Sequence, residues 1–206
     1  MGELSDRQLL EAYCGGDRGA FDALFRRYAP RIHATAYRLT ANWEDAEDAL
    51  QEVFLRLANK AATIRRAEAL AAWLYRTTVS CAMDCLRRRR KTISLDESEF
   101  DSARIVAVES LRRETERERG QYRDALLRQI EAMVPNLPER QAAVFVLRAF
   151  QGLSHRDIAA VLGMSEGSSK SHYSLACQKL RDWVAQAEEM EEKAQRRRKA
   201  VERELV

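Results

Sequence analysis

The segment Leu153–Arg181, LSHRDIAAVLGMSEGSSKSHYSLACQKLR, constrains the fold of this chain more than any other stretch of its sequence. Ser154 followed by Asp157 has the spacing of a capping box and predicts the start of a helix. Gly163 suits the turn that follows, because glycine adopts a positive φ at little cost. Ser165 is then expected to cap a second short helix. The pattern is typical of a helix-turn-helix, whose second helix can enter the DNA major groove, and a plain helical hairpin in a core is the alternative.

The remaining sequence also favours helices. Its 206 residues include only eight glycines and three prolines, and strand-like alternation is hard to find, so we expect an all-α fold. Segment 93–122 carries eight acidic and five basic side chains, whereas segments 1–92 and 123–185 have net charges of +4 and +2. We therefore expect two small helical domains joined by a flexible acidic linker, with the helix-turn-helix in the second domain and a charged helical extension over 186–206.

Composition and cysteine spacing limit the possible functions. The net charge of +3 and the isoelectric point of about 8.7 permit nucleic-acid binding without requiring it. No signal sequence is evident and no apolar run approaches the ~20 residues that span a bilayer, so we expect a cytoplasmic protein without membrane insertion. We find no paired carboxylates, Ser-His-Asp set or metal cluster, so we expect no enzyme, no cofactor, no metal and no small-molecule substrate. Reduced, partly buried thiols are expected for Cys14, Cys81, Cys85 and Cys177, which form no CxxC pair.

A second motif, DAEDALQEVFLRL, occupies Asp45–Leu57. Asn42 and Asp45 have capping-box spacing and predict the start of a helix with one apolar face. The acidic side chains continue past the first turn, beyond the reach of the helix dipole. Such an exposed carboxylate and amide face suits docking to a basic partner surface, and a solvated helix face is the alternative. The candidate docking residues are Asp45, Glu47, Asp48, Gln51 and Glu52.

Aromatic and basic residues alternate in a third motif, AWLYRTTVSCAMDCLRRRRK at Ala72–Lys91. We place it in a long helix from about residue 68 to 91, after a loop that contains two arginines. Its five terminal cations exceed the one or two that a helix dipole favours, so a phosphate-contacting surface accounts better for them. Aromatic rings beside arginine suit stacking on unpaired bases, although Trp73 is also compatible with a core position.

In this order the three motifs resemble the extracytoplasmic-function sigma factors, group IV of the sigma-70 family, over about Leu9–Lys91 and Leu137–Trp183. Asp45–Leu57 is similar to the segment that binds the β′ clamp helices of core RNA polymerase. Ala72–Lys91 resembles the region that melts and reads the −10 promoter element on the non-template strand. Leu137–Arg181 is similar to the domain that reads the −35 element as duplex DNA. The resemblance implies a sigma factor that alters where polymerase starts and makes no bonds itself.

The resemblance also implies partners and site residues. The partners are core RNA polymerase, through its β′ clamp helices and β flap, promoter DNA, and an anti-sigma factor that can hold the protein at the membrane. The residues assigned to −10 binding are Arg65, Arg66, Trp73, Tyr75, Arg76, Ser80, Asp84, Arg87, Arg88, Arg89, Arg90 and Lys91. The residues assigned to −35 binding are Ser165, Ser168, Lys170, Ser171, His172, Ser174, Leu175, Lys179 and Arg181.

Departures from the family pattern concentrate in the second helix of the helix-turn-helix. Ser169 stands where a core valine is usual, so we expect this helix to dock less firmly. His172, Leu175 and Cys177 stand where arginines are common. This predicts weak −35 binding, or a preference for sequences whose thymine methyls contact Leu175 and Tyr173. In the −10 region, Ser80 stands where asparagine is frequent, so base selection is expected to differ there.

Two rival functions and one open assignment remain at this point. A helix-turn-helix regulator that never enters polymerase would need neither the acidic helix nor the −10-like helix. A helical protein that binds RNA through its arginine-rich helix is the weaker rival. Trp183, Ala187, Met190 and Ala194 recur at heptad-like spacing and predict a terminal amphipathic helix, which is either a solvated extension or a partner-binding element.

Overall fold

The computed structural model describes residues 4–64, 70–93 and 118–204, and within these ranges the chain is helical and has no strand. No helix among them is long and apolar enough to cross a membrane. Short 3-10 turns occupy Ala61–Thr63 and Val134–Asn136. The α-helices are α1 (Asp6–Cys14), α2 (Arg18–Thr40), α3 (Trp43–Lys60), α4 (Leu70–Ile93), α5 (Glu118–Met133), α6 (Glu139–Ala149), α7 (His155–Leu162) and α8 (Glu166–Glu204). Of the predicted linker, residues 94–117 lie outside the described part of the chain.

The predicted helix boundaries that depend on capping are confirmed. The Asn42 side chain accepts a hydrogen bond from the Asp45 backbone N–H over 2.9 Å, at the start of α3. The Ser154 hydroxyl accepts one from the Asp157 N–H over 3.1 Å, at the start of α7. Gly163 ends α7 with a φ of 64°, the left-handed conformation expected of the turn. Each feature depends on neighbouring residues alone, which is why the sequence predicts it well.

Helices α1–α4, which we call the first domain, pack around one apolar core. Large side chains recur three or four residues apart on α2, α3 and α4, so each helix presents one apolar stripe to the others. The Asp6 carboxylate fastens α1 to this core by accepting hydrogen bonds from the Arg27 guanidinium and the Tyr28 hydroxyl on α2. The fully buried side chains of this core include Leu24, Ile32, Leu39, Val53, Leu57 and Leu74.

Helices α5–α8 form what we call the second domain, and α6 supplies its apolar centre. Val144 and Leu147 of α6 and Ile158 of α7 are fully buried. The second helix of the helix-turn-helix is not short, as the sequence analysis expected, because α8 runs without interruption for 39 residues. The recognition segment and the predicted C-terminal extension are therefore one helix. Beyond Ala187 its described side chains are exposed, and Met190 is 63% exposed.

The two domains pack directly against each other and share a continuous apolar core. Helix α2 contacts α6 and the Val134–Asn136 turn, and α4 contacts α7. At one edge the Arg38 Nε lies 2.8 Å from Glu131 Oε1, and the Arg38 guanidinium lies 4.3 Å from the centre of the Phe150 ring. This packing was not predicted, because hydrophobic periodicity shows that a helix has a buried face without showing which partner covers it.

Candidate polymerase and promoter interfaces

The solvent-facing side of α3 carries most of the predicted docking residues. Glu47, Asp48 and Gln51 are exposed, and Glu52 forms a half-exposed ion pair with Arg56 over 2.6 Å. Their spacing of three and four residues places them along one helix face. This face can offer two or more carboxylates and an amide to a basic partner surface.

Asp45 differs from the other four predicted docking residues. Its carboxylate lies 3.1 Å from the Arg89 guanidinium, and both side chains are largely buried. The same guanidinium donates a hydrogen bond to the Thr40 carbonyl over 2.9 Å. This pair fastens α4 to the corner between α2 and α3, so the structure gives both charges a partner within the first domain.

Leu55 is an interface candidate that the sequence analysis missed. It lies four residues after Gln51 on the same face of α3, and 59% of it is exposed. It borders a groove of about 690 Å³ between α3 and α4, whose lining also includes Asp48 and Asp84. An exposed leucine among carboxylates suits a partner helix that presents both apolar and basic side chains. The signal available in the sequence was an apolar residue at a position of the helix that should face solvent.

The predicted −10 residues on α4 divide between exposed and buried positions. Arg76, Ser80, Asp84, Arg87 and Arg88 are exposed, whereas Trp73 packs partly buried against the core. Arg65 and Arg66 lie outside the described residues, and only the helical backbone is described for Arg90 and Lys91. The five exposed residues share one side of α4, because they recur at intervals of three and four.

Two of the predicted −10 residues, Tyr75 and Arg76, contact the second domain. Tyr75 is 6% exposed, and its hydroxyl donates a hydrogen bond to Gln151 Oε1 over 3.1 Å. Burial raises the pKa of the Tyr75 hydroxyl. Arg76 reaches the carboxyl end of α7, where its Nε donates to the Val161 carbonyl over 2.6 Å.

The second helix of the helix-turn-helix docks through a buried polar contact. Ser169 is fully buried, and its hydroxyl lies 3.0 Å from His155 Nδ1 on α7. The Tyr173 ring stacks on Phe145 at 5.9 Å and meets the His155 ring edge-on. The buried Ser169 hydroxyl therefore has a hydrogen-bond partner, and the less firm docking expected at this position stays a prediction.

The outer face of α8 carries most of the predicted −35 residues. His172, Lys179 and Ser168 are partly buried, and His172 Nδ1 is buried without a hydrogen-bond partner in the described part of the chain. Ser165 caps the helix by accepting from the Ser168 N–H over 3.0 Å. The Glu166 carboxylate pairs with the Lys170 ammonium over 2.7 Å, which lowers the pKa of Glu166. The exposed predicted residues are Ser165, Lys170, Ser171, Ser174, Leu175 and Arg181.

The cysteines and the candidate metal ligands were also predicted from the sequence. Among the described residues no three His, Cys, Asp or Glu side chains are grouped as metal ligands would be. All four cysteines are free thiols: Cys14 is exposed, Cys177 is partly buried, and Cys81 and Cys85 are buried. Burial raises the pKa of the Cys81 thiol.

Comparisons with known proteins agree with the three-motif resemblance. The family model for sigma-70 region 2 matches residues 24–92, and the model for sigma-70 region 4 matches residues 127–180. The chain is 35% identical over 176 residues to the ECF RNA polymerase sigma factor SigM of Mycobacterium tuberculosis, an alignment that covers 84% of this chain and 82% of that protein. It is 30% identical over 167 residues to the RNA polymerase sigma-H factor of Pseudomonas aeruginosa, covering 81% and 86%.

Solved structures support the fold. CnrH in complex with the cytosolic domain of CnrY superposes with a TM-score of 0.61 at 22% identity, covering 87% of this chain and 97% of that one. The sigma factor RpoE in complex with the anti-sigma factor NepR from Bartonella quintana gives 0.59 at 21% identity, covering 80% and 96%.

The region 2 match decides between the sigma factor and the rival regulator, because a regulator that never enters polymerase needs no such domain. The region 2 match lies in the first domain, apart from residues 65–69, which are outside the described part of the chain, and the region 4 match lies in the second domain. The two-domain all-α prediction is confirmed by the same structures and comparisons. The chain belongs to the extracytoplasmic-function sigma factors of the sigma-70 family, and it is an alternative sigma factor that directs transcription with RNA polymerase.

Proposed function

We propose that this sigma factor binds core polymerase through α3, −10 DNA through α4 and −35 DNA through the first turns of α8. The observation that carries the proposal is the exposed face of α3, where Asp48, Gln51 and Leu55 lie side by side and no element among the described residues covers them. A leucine that is 59% exposed beside carboxylates fits a protein partner better than solvent alone. The β′ clamp helices are the proposed partner.

For the −10 element, we propose the exposed side of α4 as the strand-binding surface. Arg87 and Arg88 would contact phosphates, and Ser80 and Asp84 would face the unpaired bases. Because Trp73 is partly buried, we propose that it supports the packing of α4 rather than offering an exposed ring on which unpaired bases stack. Ser80 is shorter than the asparagine common in the family, which favours an altered base preference at that position.

For the −35 element, the outer face of α8 would lie in the major groove. Lys170 and Arg181 are exposed cations suited to phosphates or guanine edges, and Ser171 and Ser174 are exposed hydroxyls suited to base edges. Leu175 is 45% exposed and would contact thymine methyls. With few cations on this face, we propose that shape and apolar contact contribute more to −35 selection than they do in arginine-rich relatives.

We further propose a cytoplasmic protein that carries out no catalysis itself and is controlled by an anti-sigma factor. The solved structure of CnrH is a complex with the cytosolic domain of CnrY, and that of RpoE is a complex with the anti-sigma factor NepR. An inhibitor of this chain would cover the exposed α3 face, since that face is needed for polymerase binding.

Selection of −35 sequences tests the promoter-reading part of this proposal. Holoenzyme assembled from core polymerase and the full chain would be incubated with duplexes that carry a fixed −10 element and a randomised −35 hexamer. We expect one enriched family of hexamers, and Lys170→Ala should weaken its binding and lower the slope of log K against log salt by about 1.

Lys193→Ala is the matched control, because Lys193 forms the same kind of Glu–Lys pair on the same helix, 3.7 Å from Glu189. It should change neither the affinity nor the salt slope. If no hexamer is enriched, or if the two lysine variants weaken binding equally, the assignment of −35 reading to the start of α8 is wrong.

A further inference from the structure

We propose that the C-terminal part of α8 is a self-association helix, which binds the same segment of a second copy of this chain in antiparallel orientation. The sigma-70 region 4 match ends at residue 180, whereas α8 continues to Glu204. The segment between them extends for about 36 Å, at 1.5 Å of rise per residue. Because it lies outside both family matches, its self-association goes beyond the proposed polymerase and promoter interfaces.

The second domain covers only the start of this segment. Trp183 packs against the core, and Ala187 is the last described side chain that is partly buried. Beyond it Met190 is 63% exposed, and Ala194 is exposed as well. Most helices in proteins gain their stability by packing an apolar face rather than from helix propensity alone. The described part of the chain leaves such a face open on this segment.

A narrow apolar seam continues along the open face. In a seven-residue repeat labelled abcdefg, Ala187, Ala194 and Val201 take position a, and Met190 and Arg197 take position d. Beyond Ala194 only the helical backbone is described, so the positions there follow from the sequence and the helix period. A stripe confined to a and d is the seam of a coiled coil, whereas a helix that packs into a domain core has a wider apolar face.

The residues of the seam favour an antiparallel pair. In a parallel pair each position faces its own copy, which sets alanine against alanine and Arg197 against Arg197 of the second copy. In an antiparallel pair position a of one helix faces position d of the other, so small side chains meet the large ones at Met190 and Arg197. Alternating large and small side chains fill such an interface, and the two Arg197 guanidinium groups are kept apart.

The charges beside the seam favour the same orientation. Four glutamates lie within 188–192, and residues 196–199 are all basic. In an antiparallel pair the two e positions face each other, so Glu191 lies beside Arg198 of the second copy, and the symmetric contact forms as well. A parallel pair instead places Lys193 at position g beside Arg198 of the second copy, and these like charges repel. Charge complementarity therefore selects a second copy in antiparallel orientation.

The interface is short, so the dimer is weak. The seam from Ala187 to Val201 spans about two heptads per chain, less than a standard protein interface. We expect a dissociation constant of roughly 10–100 μM. A helix that is covered by solvent alone, with internal pairs such as Glu189 and Lys193 at 3.7 Å, predicts a monomer at every concentration.

The first experiment measures the dimer and locates its seam. Sedimentation velocity of the full chain over about 1–300 μM gives the dissociation constant, and circular dichroism checks the helix content of each variant. Met190→Lys places a charge in the seam and should raise the dissociation constant at least about tenfold. Gln195→Lys is the matched control, because it adds the same charge at position b on the outer side of the helix. It should change the dissociation constant by less than about twofold.

The second experiment tests the orientation. Arg198→Glu should raise the dissociation constant about tenfold, because both contacts between Glu191 and Arg198 become repulsive. Adding Glu191→Lys to the same chain should restore wild-type affinity, since the two charges are then exchanged. Arg196→Glu makes the same change of charge at position c, away from the seam, and is the control. Raising NaCl from about 0.05 to 0.5 M should weaken the wild-type dimer.

Three results would overturn the proposed dimer. One is a wild-type chain that stays monomeric up to about 300 μM, well above the expected dissociation constant. Another is a dimer that Met190→Lys and Gln195→Lys weaken equally, which would place the interface elsewhere. The third is tighter association of Arg198→Glu or at high salt, as a parallel pair predicts. All three are measured on the chain without polymerase or DNA, so they leave the core-binding and −35 selection experiments to test the proposed function separately.

Discussion

Replacing Asp48 by arginine should weaken binding to core RNA polymerase by about 10²- to 10³-fold while leaving the fold intact. Asp48 is exposed near the middle of α3 and borders the groove between α3 and α4. Arginine has a higher helix propensity than aspartate, so the substitution does not disfavour α3 itself. The free energy of unfolding of the Asp48→Arg chain should therefore stay within about 0.5 kcal/mol of the wild-type value.

The size of the affinity loss follows from where this carboxylate lies. Fully exposed ion pairs contribute about 0.2–1 kcal/mol, whereas close charge pairs in desolvated interfaces couple by about 1.5–7 kcal/mol. Asp48 lies at the edge of a groove beside an exposed leucine, so we expect its coupling energy to fall between these limits. Removing the attraction and adding repulsion should cost about 3–4 kcal/mol, and each 1.4 kcal/mol is about tenfold in affinity.

The assay is equilibrium binding of labelled chain to purified core polymerase, measured at two salt concentrations. Glu11→Arg is the control, since Glu11 is an exposed carboxylate on α1, paired with Arg7 at 2.8 Å. The Asp48→Arg defect should shrink as salt rises, because screening weakens charge pairs at the interface rim. A folded Asp48→Arg chain that binds core with wild-type affinity would refute the assignment of α3 as the docking helix.

Three further predictions concern stability and thiol reactivity. Ala41→Gly should raise the free energy of unfolding by about 1 kcal/mol, because Ala41 ends α2 at φ 47°, in the left-handed region that costs an alanine more than a glycine. Urea denaturation measures this free energy, and a loss of stability would contradict the prediction. A thiol reagent should label exposed Cys14 rapidly and buried Cys81 and Cys85 only as the chain unfolds, so fast labelling of all three in folded protein would refute the described packing. The free energy of unfolding should fall as the pH rises above about 9–10. Burial and the Asp6 hydrogen bond raise the pKa of Tyr28, so the unfolded chain loses its phenolic proton first. Tyr28→Phe should reduce that fall in urea titrations at alkaline pH, and an unchanged dependence of stability on pH would count against it.

Features fixed by neighbouring residues were the ones that the sequence predicted well. The caps at Asn42 and Ser154 and the turn at Gly163 each depend on a few adjacent side chains, and all three are confirmed. The length of α8 was underestimated, although the sequence contained the signal. No glycine or proline follows Gly167, so nothing interrupts the helix after the recognition segment.

Features that depend on distant partners could not be obtained from local patterns. Arg89 belongs to a run of cations that looks like a nucleic-acid surface, yet the fold pairs it with Asp45, 44 residues away. Glu139 and Gln151 gave no signal at all, because their importance comes from the domain packing that brings them to Arg87 and Tyr75. Charge and periodicity indicate which residues can interact, and the tertiary arrangement selects the pairs.

Transcription from a promoter library tests the central claim most directly. Purified chain and core polymerase, free of any other sigma factor, would be given templates with randomised −35 and −10 segments, and transcript starts would be sequenced. We predict starts from templates that share two sequence elements at a fixed spacing, and their loss with Asp48→Arg but not with Glu11→Arg. Starts that are no more frequent than with core polymerase alone, or that share no sequence element, would contradict the account.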